Sequence, residues 1–197
     1  MLTLVLYFLL GYCALFSVVW LHEIGHSLWN FWFGCRADWI HVQVKPYIFF
    51  STPGPVDLDK YQALAPWQHV LSAYGGVIAN LFWGSAGGAA LFFIMPDNLY
   101  VRFFLWMFIT LHFAETVSYL VIGSIYLVSD MAIVVGECPH LRIPSIAVGL
   151  VLTVIYILAL ISVPQEFRLF ILVWNLIAIF SMCGGRIVFS LLHSKNG

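Results

Sequence analysis

Residues 2–33 read LTLVLYFLLGYCALFSVVWLHEIGHSLWNFWF, an apolar run that meets no formal charge before Glu23. About 20 apolar residues are enough to cross the hydrocarbon of a bilayer as a helix. The run therefore predicts a membrane-spanning helix that continues through His22-Glu23-Ile24-Gly25-His26 and stops at Gly34, a natural C-terminal signal. On a helix, residues four apart share a face, so His22 and His26 can offer imidazole nitrogens to one zinc ion. Glu23 is turned about 100° away, beside the pair and outside it, where it can take a proton from a zinc-bound water. A metalloprotease signature inside a spanning helix points to peptide-bond hydrolysis within a membrane.

Composition agrees with a membrane chain. Of 197 residues, 62% are hydrophobic and 9% charged, against roughly 25% charged in soluble domains. Net charge is −1 and the eight basic residues are scattered, so there is no nucleic-acid footprint. The four cysteines (Cys13, Cys35, Cys138, Cys183) form no C-x-x-C pair, and buried free thiols are the expectation. Cys138-Pro139-His140 is at most half a metal site. The N-terminal run has no basic leader and no small-residue cleavage site, so it reads as a retained helix rather than a signal peptide.

Further along, Trp39-Ile40-His41-Val42-Gln43-Val44 alternates, and Pro46, Pro53, Gly54 and Pro55 punctuate the residues after it. Residues 36–66 thus predict one or two short strands with a loop, held at the interface or walled by protein because strand edges go unsatisfied in hydrocarbon. Spans are expected at about 67–95, 99–128, 145–163 and 167–192, with a tilt or break near Gly123 in the long third one. Gly84 and Gly88 form a small-x-x-x-small pair suited to helix packing. The expected fold is an all-α polytopic membrane protein with about five transmembrane helices and a short strand-like interfacial segment after the first. Residues 1–136 form a core and 137–197 a C-terminal pair of helices. Arg36, Lys45 and Lys60 favour a cytosolic loop after the first span, while the membrane itself is not named by the sequence. Seven of eight tryptophans precede Met107, and an aromatic belt accounts for them.

Catalytic zinc takes three protein ligands and leaves one position for water. Asp130, at the far end of a long apolar run, is the leading third candidate; Glu115 and His112, mid-span and three residues apart, compete with it. The alternative for His22, Glu23 and His26 is a polar cluster that packs helices, although intramembrane ionisable groups are costly without a partner such as a metal.

The membrane-embedded His22-Glu23-Ile24-Gly25-His26, the strand-like segment after it, and Gly75-Gly76-Val77-Ile78-Ala79-Asn80 occur in an order that resembles the site-2 protease family of intramembrane zinc metalloproteases. The likeness covers about residues 1–136. It implies a zinc held by His22, His26 and an aspartate from a later helix, where Asp130 stands. It also implies Glu23 as the base and a transmembrane protein or peptide as substrate. Leu127-Val128-Ser129-Asp130-Met131 departs from the family's Asn-Pro stretch ending in Leu-Asp-Gly and is similar to a compact, divergent branch. Asn80 is a candidate for hydrogen-bonding substrate backbone, with interhelical packing the equal alternative. The stretch from Trp39 to Phe50 is a candidate for pairing with an unwound substrate by strand addition.

Two rival readings stand beside this one. A non-catalytic relative would keep the metal and act as a binding partner, yet would have no use for Glu23. A haem protein would use His22, His26, His69 or His112 as axial ligands, but His22 and His26 lie on one helix and cannot clamp one iron from opposite sides.

Overall fold

The computed structural model describes residues 2–44 and 56–194, with side chains for 3–44 and 56–180. Its elements are α1 (Leu2–Trp32), α2 (Leu58–Gln62), α3 (Pro66–Ile94), α4 (Leu99–Val117), a π-helical turn (Ser118–Gly123), α5 (Ser124–Tyr126), α6 (Asp130–Glu137), a 3-10 turn (Pro139–Leu141), α7 (Arg142–Ser162) and α8 (Gln165–Ser194). Four helical stretches are long and apolar enough to cross a membrane: Thr3–Trp32, Pro66–Ile94, Leu99–Tyr126 and Pro139–Ser162. Large apolar side chains are left exposed along them, such as Phe82 and Phe93 on α3 and Ile143, Val151 and Ile161 on α7. A lipid-facing surface accounts for that pattern. The fifth expected crossing coincides with α8, which is not among these four.

α1 has 31 residues, a length of roughly 46 Å, so it must tilt in or overrun a hydrocarbon core of about 30 Å. It ends as the sequence predicts. Gly34 takes φ +77°, Cys35 N–H donates to Asn30 O (2.8 Å) and Gly34 N–H to Phe31 O (3.0 Å). These are the two closing bonds of a glycine C-cap.

Among the described residues of 36–66 no strand forms, and Gln43 alone stands in an isolated β-bridge. Local bonds satisfy the backbone instead. Asp38 Oδ1 accepts from Ile40 N–H (2.8 Å), and Arg36 donates to the carbonyls of Asp38 and His41 (both 3.0 Å). A short helix, α2, replaces the expected acidic turn and is capped by the Asp57 side chain. The Asp57 carboxyl is held below the usual carboxylate range by the Lys60 backbone N–H and ammonium. Residues 45–55, the rest of the expected strand and loop, lie outside the described residues.

Two apolar clusters flank the polar centre. One joins Ala14, Leu15, Val18 and Val19 of α1 to Phe103, Met107 and Leu111 of α4 and Phe167, Ile171 and Trp174 of α8. The other joins Val70, Ala73 and Val77 of α3 to Tyr119, Leu120, Met131 and Val134. Asn175 of α8 donates to Thr110 Oγ1 of α4 (3.0 Å) and accepts from Tyr156 of α7 (3.1 Å), locking three helices by a buried polar link. Small residues let α3 approach its neighbours. A Cβ on Gly75 would lie 2.5 Å from the Gly25 carbonyl oxygen, and one on Gly84 3.1 Å from His112 Cβ. Gly88 has open space around it, so Gly84 packs with Gly87 rather than with Gly88.

The helix runs on through Gly123 to Tyr126, and the break lies just beyond the position expected. After the π-helical turn the chain unwinds through two positive-φ residues, Leu127 (φ 52°) and Ser129 (φ 55°), and restarts at Asp130. No proline or glycine causes this. Ser129, at ψ −138° and with no side-chain cap bond, sits where glycine alone is comfortable, at a cost of order 1–3 kcal/mol. Ser129→Gly is therefore expected to stabilise the fold by about 1 kcal/mol. Thermal unfolding in detergent reads this; an unchanged or lower midpoint would show that Ser129 carries no strain.

Candidate metal centre

One turn of α1 brings His22 and His26 together, with Nε2 to Nε2 at 3.0 Å and ring planes at 78°. The unwound segment before α6 delivers Asp130 to both: its Oδ2 lies 3.4 Å from His22 Nε2 and 3.3 Å from His26 Nε2. Tetrahedral zinc with bonds of 2.0–2.1 Å needs donor atoms ~3.3 Å apart, so all three edges fit a single ion. Both histidines are buried and the Asp130 side chain is 18% exposed. Among the described residues, this is the group of three acidic, histidine or cysteine ligands close enough to share a metal ion. An imidazole–imidazole–carboxylate set suits zinc and leaves a fourth position.

The nitrogens behind the ligand atoms decide whether Nε2 is free to bind. His26 Nδ1–H donates to the Ser72 carbonyl at 2.7 Å, which fixes the tautomer with a lone pair on Nε2. Ser72 is itself held by its hydroxyl on Asn30 Oδ1 (2.7 Å). His22 is set differently. Tyr119 stacks on its ring (4.6 Å, 19°), and the bare Cα of Gly76 makes room against the imidazole. Its Nδ1 faces Asn80 Nδ2 at 3.0 Å, with Glu115 Oε2 behind at 3.9 Å.

Glu23 is buried at 5% exposure next to the histidines and contributes no atom to the converging set, as the spacing predicts. Of the three third-ligand candidates, Asp130 meets the Nε2 edges, whereas Glu115 and His112 lie on the opposite, Nδ1 side of His22. Asn80 is 1% exposed and used at both ends: its Nδ2–H donates to Glu115 Oε2 (2.9 Å) and its Oδ1 accepts from His112 Nδ1–H (2.9 Å). Asn80 thereby links α3 to α4.

Outside the centre, His69 of α3 pairs with Glu137 at the C-terminal end of α6 (2.8 Å) and donates from Nε2 to Tyr61 O (2.7 Å). This clasp anchors the helix that begins with Asp130. Cys138 is a free thiol, and neither it nor His140 joins a three-ligand group among the described residues. Cys35 is buried and free; burial and the nearby Asp57 carboxylate push its thiol up, away from reactivity. Ser72 could not have been found by sequence, since it acts through a backbone carbonyl. Tyr119 and Glu115 left only the signal of polar atoms in an apolar span.

Comparison with protein-family models, curated proteins and solved structures finds no match.

Proposed function

We propose that this chain is an intramembrane zinc metalloprotease that hydrolyses peptide bonds of membrane-embedded segments. The observation that carries the reading is the convergence of His22 Nε2, His26 Nε2 and Asp130 Oδ2 at edges of 3.0, 3.3 and 3.4 Å beside a buried glutamate. Support comes also from the sequence likeness to site-2 proteases and from the long apolar helix that carries the pair. α8 is taken as a fifth crossing, since its Phe167, Ile171 and Trp174 are buried in the same cluster as α1 and α4.

His22, His26 and Asp130 would hold the ion. Zinc, when bound, lowers the pKa of a coordinated water toward ~7 and polarises a scissile carbonyl. Glu23 takes the proton from the attacking water and passes it to the leaving amine. Asp130 keeps its place through the strained entry at Ser129 and the His69–Glu137 clasp. A transmembrane helix hides its amides in its own hydrogen bonds, so the substrate must unwind before it is cut. The segment after α1 is a candidate for receiving that extended strand.

Zinc per chain in detergent-purified protein, measured by elemental analysis at saturating zinc, tests the reading. Wild type and Glu115→Ala should carry one zinc, and Asp130→Ala should lose it. No zinc in wild type kept free of chelators would leave the histidine pair as helix packing and end the protease proposal.

A further inference from the structure

We propose that Glu115 is the positioning carboxylate of the metal centre, presented by Asn80 to His22 Nδ1 and held in place by His112. The inference rests on the zinc reading above and adds a role for three buried polar residues that the reaction itself does not use.

The two histidine ligands are unequal. His26 already has an acceptor on Nδ1, the Ser72 carbonyl. His22 must also carry its proton on Nδ1 once Nε2 is committed to a metal, because a neutral imidazole has one N–H. A buried N–H without an acceptor costs about 1–3 kcal/mol, and ligating histidines are nearly always held by a carboxylate or carbonyl on the far nitrogen. The Asn80 amide nitrogen lies 3.0 Å from His22 Nδ1 and is a donor. Behind it Glu115 Oε2, at 3.9 Å, is an acceptor. Once Nδ1 is protonated, Asn80 Nδ2 must give way from its 3.0 Å contact, because two N–H donors repel. A closing of about 1 Å by Glu115 then brings the acceptor to hydrogen-bond length.

The orientation of Asn80 is not arbitrary. His112 is fully buried against Phe108, whose ring lies 4.3 Å away edge-on. Its Nε2 has no hydrogen-bond partner among the described residues. A bare lone pair there is the cheaper choice than a stranded N–H, so the proton belongs on Nδ1. Nδ1–H then donates to Asn80 Oδ1 (2.9 Å), which turns Asn80 Nδ2 toward Glu115 Oε2 (2.9 Å). The chain of donors runs one way, from His112 through Asn80 to Glu115, and ends on the acceptor that His22 requires. These four residues come from α1, α3 and α4, so the same chain fixes the register of three helices around the metal.

Glu115→Gln changes one atom and keeps the shape. Zinc affinity by competition with a chromogenic chelator should weaken by about 10–100-fold, the range seen when a ligand's outer partner is lost. The visible bands of the cobalt-substituted protein should shift as His22 is released. Asn80→Leu breaks the same chain one link away, and the double variant should bind zinc no more weakly than the worse single variant, the non-additivity expected of one connected unit. Equal zinc affinity and identical cobalt bands in Glu115→Gln and wild type would overturn the role, as would effects of Glu115→Gln and Asn80→Leu that simply multiply. If wild type binds no zinc or cobalt, the metal reading itself fails. That result is distinct from a wild type that binds and a Glu115→Gln variant that binds equally well.

Discussion

Glu23→Gln should keep one zinc per chain and cut transmembrane substrate about 10²–10⁴-fold more slowly than wild type, the usual worth of a positioned general base. The amide has the same shape as the carboxylate, so His22, His26 and Asp130, whose atoms alone converge among the described residues, keep their places. What is lost is the capacity to accept a proton from water and return it to the amine. Zinc retained with cleavage lost separates the protease from a metal-binding relative that acts as a partner. In that second case Glu23→Gln would preserve the biological activity in full, and the hydrolase reading would be withdrawn. Measuring zinc and cleavage on the same preparation excludes the trivial explanation that the variant is misfolded.

How far the sequence reaches is visible residue by residue. The first helix, its stop at Gly34 and the ligand pair follow from hydropathy and the 3.6-residue period, both of them local rules. Asp130 stands out by its place at the end of an apolar run, a weaker argument that the geometry nonetheless favours over Glu115 and His112. The way it arrives is not legible. Sequence rules look for proline or glycine where a helix must unwind, and here Leu127 and Ser129 take positive φ under tertiary constraint. Only the first part of the expected strand lies among the described residues, and there a lone bridge at Gln43 stands beside local bonds. Alternation in Trp39–Val44 describes which side chains face out, while the backbone bonds are decided by Arg36 and Asp38 nearby. Polar residues in the spans are legible as costly and therefore used, but which partner each finds depends on how helices α1, α3 and α4 meet.

That meeting is governed by Gly76, and Gly76→Ala is expected to abolish zinc binding rather than merely weaken the fold. A Cβ there would fall within 2.6 Å of His22 Nδ1 and closer still to Nε2 and Cε1. The imidazole cannot give way toward Tyr119, which stacks on it at 4.6 Å. Nor can α1 and α3 move apart freely, because Gly25 and Gly75 already place backbone against backbone. The ring must therefore leave its rotamer, and with it goes the Nε2 position that matches Asp130. Overpacking alone costs about 1–3 kcal/mol; displacing a ligand should reduce zinc affinity at least ~100-fold, the upper end for losing an outer partner. Gly88→Ala on the same helix is the control. A Cβ there meets nothing within 4 Å, so zinc should be unchanged and helix propensity should add up to about 1 kcal/mol. Equal zinc affinity in Gly76→Ala and Gly88→Ala would mean that His22 does not occupy the metal-facing position against α3, and the centre would have to be rebuilt without it.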